Sequence, residues 1–564
     1  MVRLTDNPFH LDHQQIEWVE STLAGMSVED KIGQLFCLAA YQGNEEEISR
    51  IYKILRPGGI MYRPMKTEEA IELTGILDRH SEIPLLIAAN LEKGGNGIVE
   101  EGTLLDAPLG IAATDDVRMA EKLGIICGRE GAAVGANWAF APIIDIDHNF
   151  RNPITNTRTF GSDPERVKAM GVAYVKAVQD LGLAASIKHF PGDGMDERDQ
   201  HLVSSINSLP GDEWMETYGS IYKACIDAGA LTCMIGHILQ PAWSKSLNPG
   251  LRDEDILPAS LSPELKQGLL REKLGFNGMI VTDATTMAGF TIPMPREKAV
   301  PYSIASGADM FLFTKNLEED YAFMKAGVEN KTITDERLNE AVTRILAVKA
   351  ALGLHEKKPL PTIENARKII GCTEHKQWAE ECAEKAVTLV KEEKGVLPLT
   401  REKYKKILYY PIESEQGVAY SVKAGVCDHF CRLLEAEGFS VDTFEPKLGY
   451  EGMMQSVNEI AEKYDLIVYL ANMSTKSNQT TVRIEWAQPM GANVPAYINQ
   501  VPTIFISVEN PYHLLDVPRV RTFINAYNSS DENLTAILGK LMGRSEFTGK
   551  SPIDPFCGKW DTKL

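Results

Sequence analysis

The sequence predicts an α/β protein of two unequal domains: a (β/α)8 barrel of the TIM type followed by a smaller α/β/α layered sandwich. Three observations carry this. In the first 355 residues, eight short apolar runs alternate with amphipathic, polar-flanked stretches. Those runs are almost continuously hydrophobic, as parallel strands buried on both faces are. After residue 354 the pattern loosens, and a second strand–helix alternation begins near 405. A chain of 564 residues also exceeds what one ordinary core fills.

The predicted barrel strands are GQLFCLA (33–39), GGIMY (58–62), PLLIAAN (84–90), NWAFAPIIDI (137–146), AASIKHF (184–190), LTCMIGHI (231–238), GMIVTDA (278–284) and DMFLFTK (309–315). The clearest helix opens at SDPERVKAMGVAYVKAVQDLGL. Ser162 is its N-cap candidate, with Pro164 in the first turn and Glu165 completing a capping box. Val167, Met170, Tyr174, Val178 and Leu181 then recur at spacings of three and four, on one face. Eight strand–helix units in order predict the barrel over 1–355. A doubly wound sheet would leave the even count and the polar strand ends unexplained.

Residues 356–390 read as a linker and a connecting helix (roughly 374–391), and 391–564 as the sandwich. Its five predicted strands are KKILYYPI, SVDTFEP, DLIVYLAN, PTIFISVEN and RTFINAYN. Helices are expected over 422–437, near 457–463 and over about 533–542.

Fifty-eight Lys and Arg against seventy-eight Asp and Glu leave a net charge of −20. Such a surface repels phosphate backbones and anionic lipid, so neither nucleic acid nor membrane is an expected partner. A small neutral substrate fits better. No signal peptide is visible behind MVRLTDNPFHLDHQQIEW, and no run reaches the ~20 apolar residues of a membrane span. The nine cysteines are scattered and read as buried thiols. The expectation is a reduced, cytoplasmic protein without a metal or other cofactor. GRSEFTGKS (543–551) imitates a Walker A loop but has one residue too many and follows a helix.

In such barrels the chemistry sits in the loops after the strands. Strand three leads to Asn90 and Glu92, strand four to Asp145, Asp147 and later Arg158, and strand five to Lys188 and His189. Strand six reaches His237 and strand seven ends at Asp283. Taken singly, Asp145 and Asp147 also suit helix caps, and so does Asp283. Two segments go further. In KHFPGDGMDERDQH (188–201), Pro191, Gly192 and Gly194 force a loop that carries an Asp-x-His pair, Asp199 and His201. Residues two apart in an extended stretch face one side, so the carboxylate can hold one imidazole nitrogen and leave the other for proton transfer. In LGFNGMIVTDATTMAGF (274–290), Asp283 ends an apolar strand, where a fixed carboxylate can reach a substrate. Trp138 and Trp243, near strand ends, are candidates to stack on a sugar ring.

The ordered motifs KHFPG-x-G, D-x-H and GF-x-G-x-I-x-TD resemble glycoside hydrolase family 3, in particular its bacterial β-N-acetylglucosaminidase (β-hexosaminidase) branch. APIIDID (141–147), NPITNTRTFGSDPERV (152–167), LPASLSPEL (257–265), SGADM (306–310), RILAVKAALGL (344–354), KEEKGVLPL (391–399) and SVENPYHLLDVP (507–518) extend the likeness over most of the chain. The resemblance implies that Asp283 is the nucleophile of a retaining hydrolase, His201 its general acid/base and Asp199 the partner of His201. It places Lys188, His189 and Arg158 on sugar hydroxyls. The implied substrate is a terminal β-linked N-acetylglucosamine on an aglycone the sequence does not specify, with no cofactor. A histidine suits the acid/base role because its unperturbed titration lies near neutrality. On a Gly-rich loop it is expected to swing in over the substrate.

Three features depart from the family pattern. Asp193 stands where KHFPGHG has its second histidine. After strand three, ANLEKGGNG replaces DQEGGR, so Glu92 or Asn90 takes the hydroxyl-binding position, with Glu92 preferred for its carboxylate. The β-glucosidase branch draws its acid/base from the second domain, whereas the D-x-H pair here assigns the small domain no part in proton transfer. A phosphorylase, a β-glucosidase and a silent sugar-binding protein are the alternatives.

Overall fold

The computed structural model describes residues 2–413, 425–444, 454–475, 477–478, 483–484, 486 and 491–564. The chain forms two compact units: residues 1–105, 117–149 and 163–376, and residues 106–116, 150–162 and 377–564.

The first unit is a parallel eight-stranded barrel of β1 (Phe36–Ala39), β2 (Gly59–Met61), β3 (Leu86–Ala89), β4 (Trp138–Ala139), β5 (Ala184–Phe190), β6 (Thr232–Ile235), β7 (Met279–Thr282) and β8 (Phe311–Leu312). Each predicted run contains one barrel strand, shorter than the run except for β5, which spans all of AASIKHF. β8 pairs with β1, and an isolated parallel bridge between Val281 and Met310 joins β7 to β8. At that seam the Leu312 amide donates to Thr282 Oγ1 at 3.0 Å. Before β8, buried Asp309 accepts from Arg271, Arg337 and Arg344 and from the Ile280 amide. These guanidinium partners hold the Asp309 carboxyl below its ordinary value despite its burial.

The helix after β4 runs Pro164–Asp180, but Asp163 rather than Ser162 is its N-cap, accepting from the Glu165 amide at 3.0 Å. Ser162 instead donates its backbone N–H to the Pro552 carbonyl. Trp138 is fully buried and its Nε1 donates to Thr232 Oγ1 at 2.9 Å. It packs edge-on against Phe140 and is a core residue, not a platform for a sugar. Trp243 packs edge-on against Trp214, with Lys273 over its ring.

The second unit contains a six-stranded sheet: β9 (Thr388–Lys391), β10 (Lys406–Glu413), β11 (Ser440–Thr443), β12 (Leu466–Asn472), β13 (Thr503–Ser507) and β14 (Thr522–Asn525). Its order is β9-β14-β13-β12-β10-β11, parallel except for β9. Helices Val426–Ala436 and Asp531–Leu541 cover one face; on the other, helix Val457–Lys463 packs through Ile460 against Tyr410, Tyr469 and Phe505. The start of the predicted 422–437 helix lies outside the described residues. The connecting helix ends at Ala386 rather than near 391, because Thr388–Lys391 pairs antiparallel with Phe523–Asn525 and adds a sixth strand. Among the described residues, no helix is long and apolar enough to cross a membrane, and no cluster of three His, Cys, Asp or Glu is placed to hold a metal.

Candidate active site

The barrel brings the polar ends of β3 to β7 together at one rim. Lys188 Nζ, from β5, lies 2.7 Å from Glu92 Oε1, and both side chains are largely withdrawn from solvent. Asn90 is exposed. The next residue, His189, is held by Asp145: the His189 amide donates to Asp145 Oδ1 at 3.0 Å, and its Nδ1 sits 2.7 Å from Oδ2. The same carboxylate accepts from the Asp193 amide at 2.8 Å. Asp145 is thus fully buried as an anchor for the turn after β5. His189 Nε2 then lies 4.0 Å from Asp283 Oδ2.

Asp283 follows β7. Its amide donates to the Ile235 carbonyl at 2.8 Å, and its Oδ1 accepts from the Ala284 amide at 2.7 Å. It caps no helix; the next begins at Ala288. Burial pulls its carboxyl upward, but the imidazoles of His189, His237 and His201 and the Ala284 N–H outweigh this and hold it below its ordinary value. A carboxylate that stays ionised at neutral pH is what a nucleophile requires.

The loop after β5 turns at Gly192, where φ is +110° and a Cβ would lie 2.1 Å from the Tyr218 ring, so only glycine fits. Trp214 Nε1 donates to the Pro191 carbonyl and Asn207 Nδ2 to that of Gly192. Further along, Asp199 Oδ1 takes the His201 amide at 2.8 Å and lies 2.6 Å from His201 Nδ1. Asp199 is buried and His201 a quarter exposed. Among the described residues, His201 Nε2 has no hydrogen-bond partner. The amide and the ring of His201 are thus both held by the carboxylate two residues before it.

His237 is fully buried. Its Nε2 lies 3.1 Å from the Ala284 carbonyl and its Nδ1 2.9 Å from Ser260 Oγ. Burial lowers its pKa, and the Ala284 carbonyl, which can only accept, makes Nε2 a donor. Its amide donates to Gln200 Oε1 at 2.8 Å, and Gln200 Nε2 donates to Asp193 Oδ2 at 3.3 Å. Neither Gln200 nor Ser260 was singled out by sequence; the only signal was that Gln200 lies inside the D-x-H pair. Arg158 ends the short turn Asn156–Arg158, within the segment 150–162 of the second unit. Asp147 is buried after β4.

These parts amount to an ionised carboxylate beside a backed imidazole, a pair suited to two-step displacement at an anomeric carbon. The model of the glycosyl hydrolase family 3 N-terminal domain matches residues 27–348, more than half the chain. The chain belongs to glycoside hydrolase family 3. Within the family it falls with the β-N-acetylglucosaminidase branch. It is 51% identical, over the full length of both chains, to a β-N-acetylglucosaminidase/β-glucosidase of Cellulomonas fimi. A solved structure of β-glucoside phosphorylase BglX superposes with a TM-score of 0.93 at 47% identity, over 99% of each chain. The family 3 β-N-acetylglucosaminidase of Paenibacillus sp. FPU-7 shares the fold, with a TM-score of 0.79 at 24% identity over 94% of this chain and 99% of its own.

Proposed function

We propose that this family 3 enzyme releases terminal, non-reducing β-linked N-acetylglucosamine with retention, through a covalent glycosyl-enzyme at Asp283. The observation that carries the reading is the pairing of ionised Asp283 with the His201–Asp199 dyad. In the first step the bond from Asp283 Oδ to the anomeric carbon forms as the bond to the aglycone oxygen breaks. His201 Nε2 gives its proton to that oxygen. In the second step His201 takes a proton from water, which attacks the anomeric carbon and frees Asp283. In this reading Glu92–Lys188 and His189, on the same rim, bind the sugar hydroxyls. The name of the Cellulomonas fimi relative supports an N-acetylglucosaminide substrate and extends the range to β-glucosides.

A second reading replaces water by phosphate, and two observations favour it. The base is an imidazole rather than a carboxylate, and once glycosylated Asp283 is a neutral ester, so an incoming phosphate meets less negative charge. The structure at 47% identity is described as a phosphorylase. One experiment decides both points: aryl N-acetylglucosaminides and glucosides are turned over with and without phosphate, and products are followed by NMR. Hydrolysis predicts the free sugar, first as its β anomer, at rates independent of phosphate. Phosphorolysis predicts a sugar 1-phosphate and a rate that rises with phosphate. Free α sugar as first product would refute the retaining route.

A further inference from the structure

The acid/base loop is fastened to the barrel by side chains that the displacement chemistry does not use. Gln200, fully enclosed between Asp199 and His201, reaches two strand ends at once. Its Nε2 donates to Asp193 Oδ2 at 3.3 Å, in the turn after β5, and its Oε1 accepts from the His237 amide at 2.8 Å, after β6. His237 continues the line to the Ala284 carbonyl, next to Asp283. Asp193 is itself fixed: its Oδ1 accepts from the Gly194 amide at 2.7 Å, and Ser205 Oγ lies 3.5 Å away. The loop backbone also lies directly on the segment after β7. The Ala288 amide donates to the His201 carbonyl at 3.0 Å, and Ser204 Oγ to the Gly289 carbonyl at 3.1 Å. At Gly289 a Cβ would stand 2.5 Å from the Gln200 carbonyl oxygen, so the two segments touch through backbone.

Asp193 is also the position at which the sequence leaves the family's KHFPGHG pattern. A carboxylate there accepts from the Gln200 amide. We infer that Gln200 is a positioning residue, clasped between Asp193 and His237, that fixes the His201–Asp199 dyad at a set distance from Asp283. The inference rests on the proposed acid/base role of His201. It accounts for an ordered dyad on a loop rich in glycine. Removing the clasp leaves Asp283 and its own contacts intact but lets the His201 loop shift. The loss should therefore fall on the step that needs a proton.

The test compares kcat/KM on 4-methoxyphenyl and 2,4-dinitrophenyl β-N-acetylglucosaminides, or on the matching glucosides if those turn over faster. The first leaving group needs a proton and the second does not. Wild type, His201→Ala, Gln200→Leu and Gln200→Glu are run together. Gln200→Leu should lose about 10–100-fold on the methoxyphenyl substrate and stay within about threefold on the dinitrophenyl one. Gln200→Glu still accepts from the His237 amide but repels Asp193. Its selective deficit at about pH 8 should shrink towards about pH 5, as the added carboxyl takes a proton and can donate again. Equal losses on both substrates, or no loss, for Gln200→Leu would overturn the inference. So would a pH-independent deficit in Gln200→Glu, which decides the matter alone if the leucine variant does not fold. If His201→Ala also loses equally on both substrates, it is the acid/base reading that has failed.

Discussion

Asp199→Asn probes the dyad with the smallest change of shape. One atom, Asp199 Oδ1, accepts both the His201 amide at 2.8 Å and the Nδ1 contact at 2.6 Å. The backbone N–H requires an acceptor there, so an asparagine is held with its carbonyl oxygen, not its NH2, towards the imidazole. The tautomer that donates from Nδ1 and leaves Nε2 unprotonated survives. What changes is the charge behind the ring. A hydrogen bond to an ionised group contributes about 1.5–3 kcal/mol and a neutral one about 0.5–1.5 kcal/mol. The N–H of His201 stays neutral throughout, so only the Nδ1 bond responds to the imidazolium. The expected loss is about 1–2 kcal/mol, roughly 5–30-fold in kcat/KM for a poor leaving group, with little change for dinitrophenyl glycosides. Asp199→Ala also frees the ring and should approach His201→Ala, a loss of about 100-fold or more. Steady-state kinetics on the two substrates measures both. Asparagine as damaging as alanine, or an equal loss on both leaving groups, would refute this reasoning.

Two further outcomes follow from the buried charges. Glu92→Gln leaves Lys188 enclosed without its counter-charge, so it should lower thermal stability by about 3 kcal/mol and raise KM, whereas Asn90→Ala, at an exposed position, should change stability little. The reverse order in melting and kinetic assays would count against the Glu92–Lys188 arrangement. Lys349 is buried with its Nζ 2.6 Å from Gln34 Oε1, and burial pushes its pKa down from 10.5 to about 7. From about pH 7 to 10.5 the unfolded chain binds more protons than the folded one, so this group's contribution to stability rises with pH across that window and its cost is full below it. That cost is about 4 kcal/mol at pH 7. Lys349→Met removes it and orphans Gln34 Oε1, at about 1–3 kcal/mol. Denaturant titrations should find the variant more stable at pH 7 and less stable above about pH 10; a pH-independent difference would refute the assignment.

Much of this fold is written locally. Strands buried on both faces need continuous apolar runs, and LTCMIGHI or GMIVTDA can be little else when polar, amphipathic stretches flank them. Element ends are less legible. Val387–Val390 continues the apolar pattern of the preceding helix, and only pairing with Phe523–Asn525 makes Thr388–Lys391 a strand. Asp163 and Ser162 are both good caps, and a distant carbonyl, that of Pro552, engages Ser162. Asp283 and the Asp199–His201 pair are legible because strand ends and i, i+2 spacing are local features. The Asp193–Gln200–His237 line is not, since it joins two strand ends through contacts that no spacing encodes. Trp138 looked available near a strand end, but its burial depends on Phe140 and Thr232.

The most direct measurement is peptide mapping by mass spectrometry after reaction with a fluorinated β-N-acetylglucosaminyl or β-glucosyl donor carrying a good leaving group. The expected result is one glycosyl adduct on the peptide containing Asp283, absent from Asp283→Asn, which should have lost turnover. An adduct on another carboxylate, or full turnover by Asp283→Asn, would contradict the assignment of Asp283 as the nucleophile.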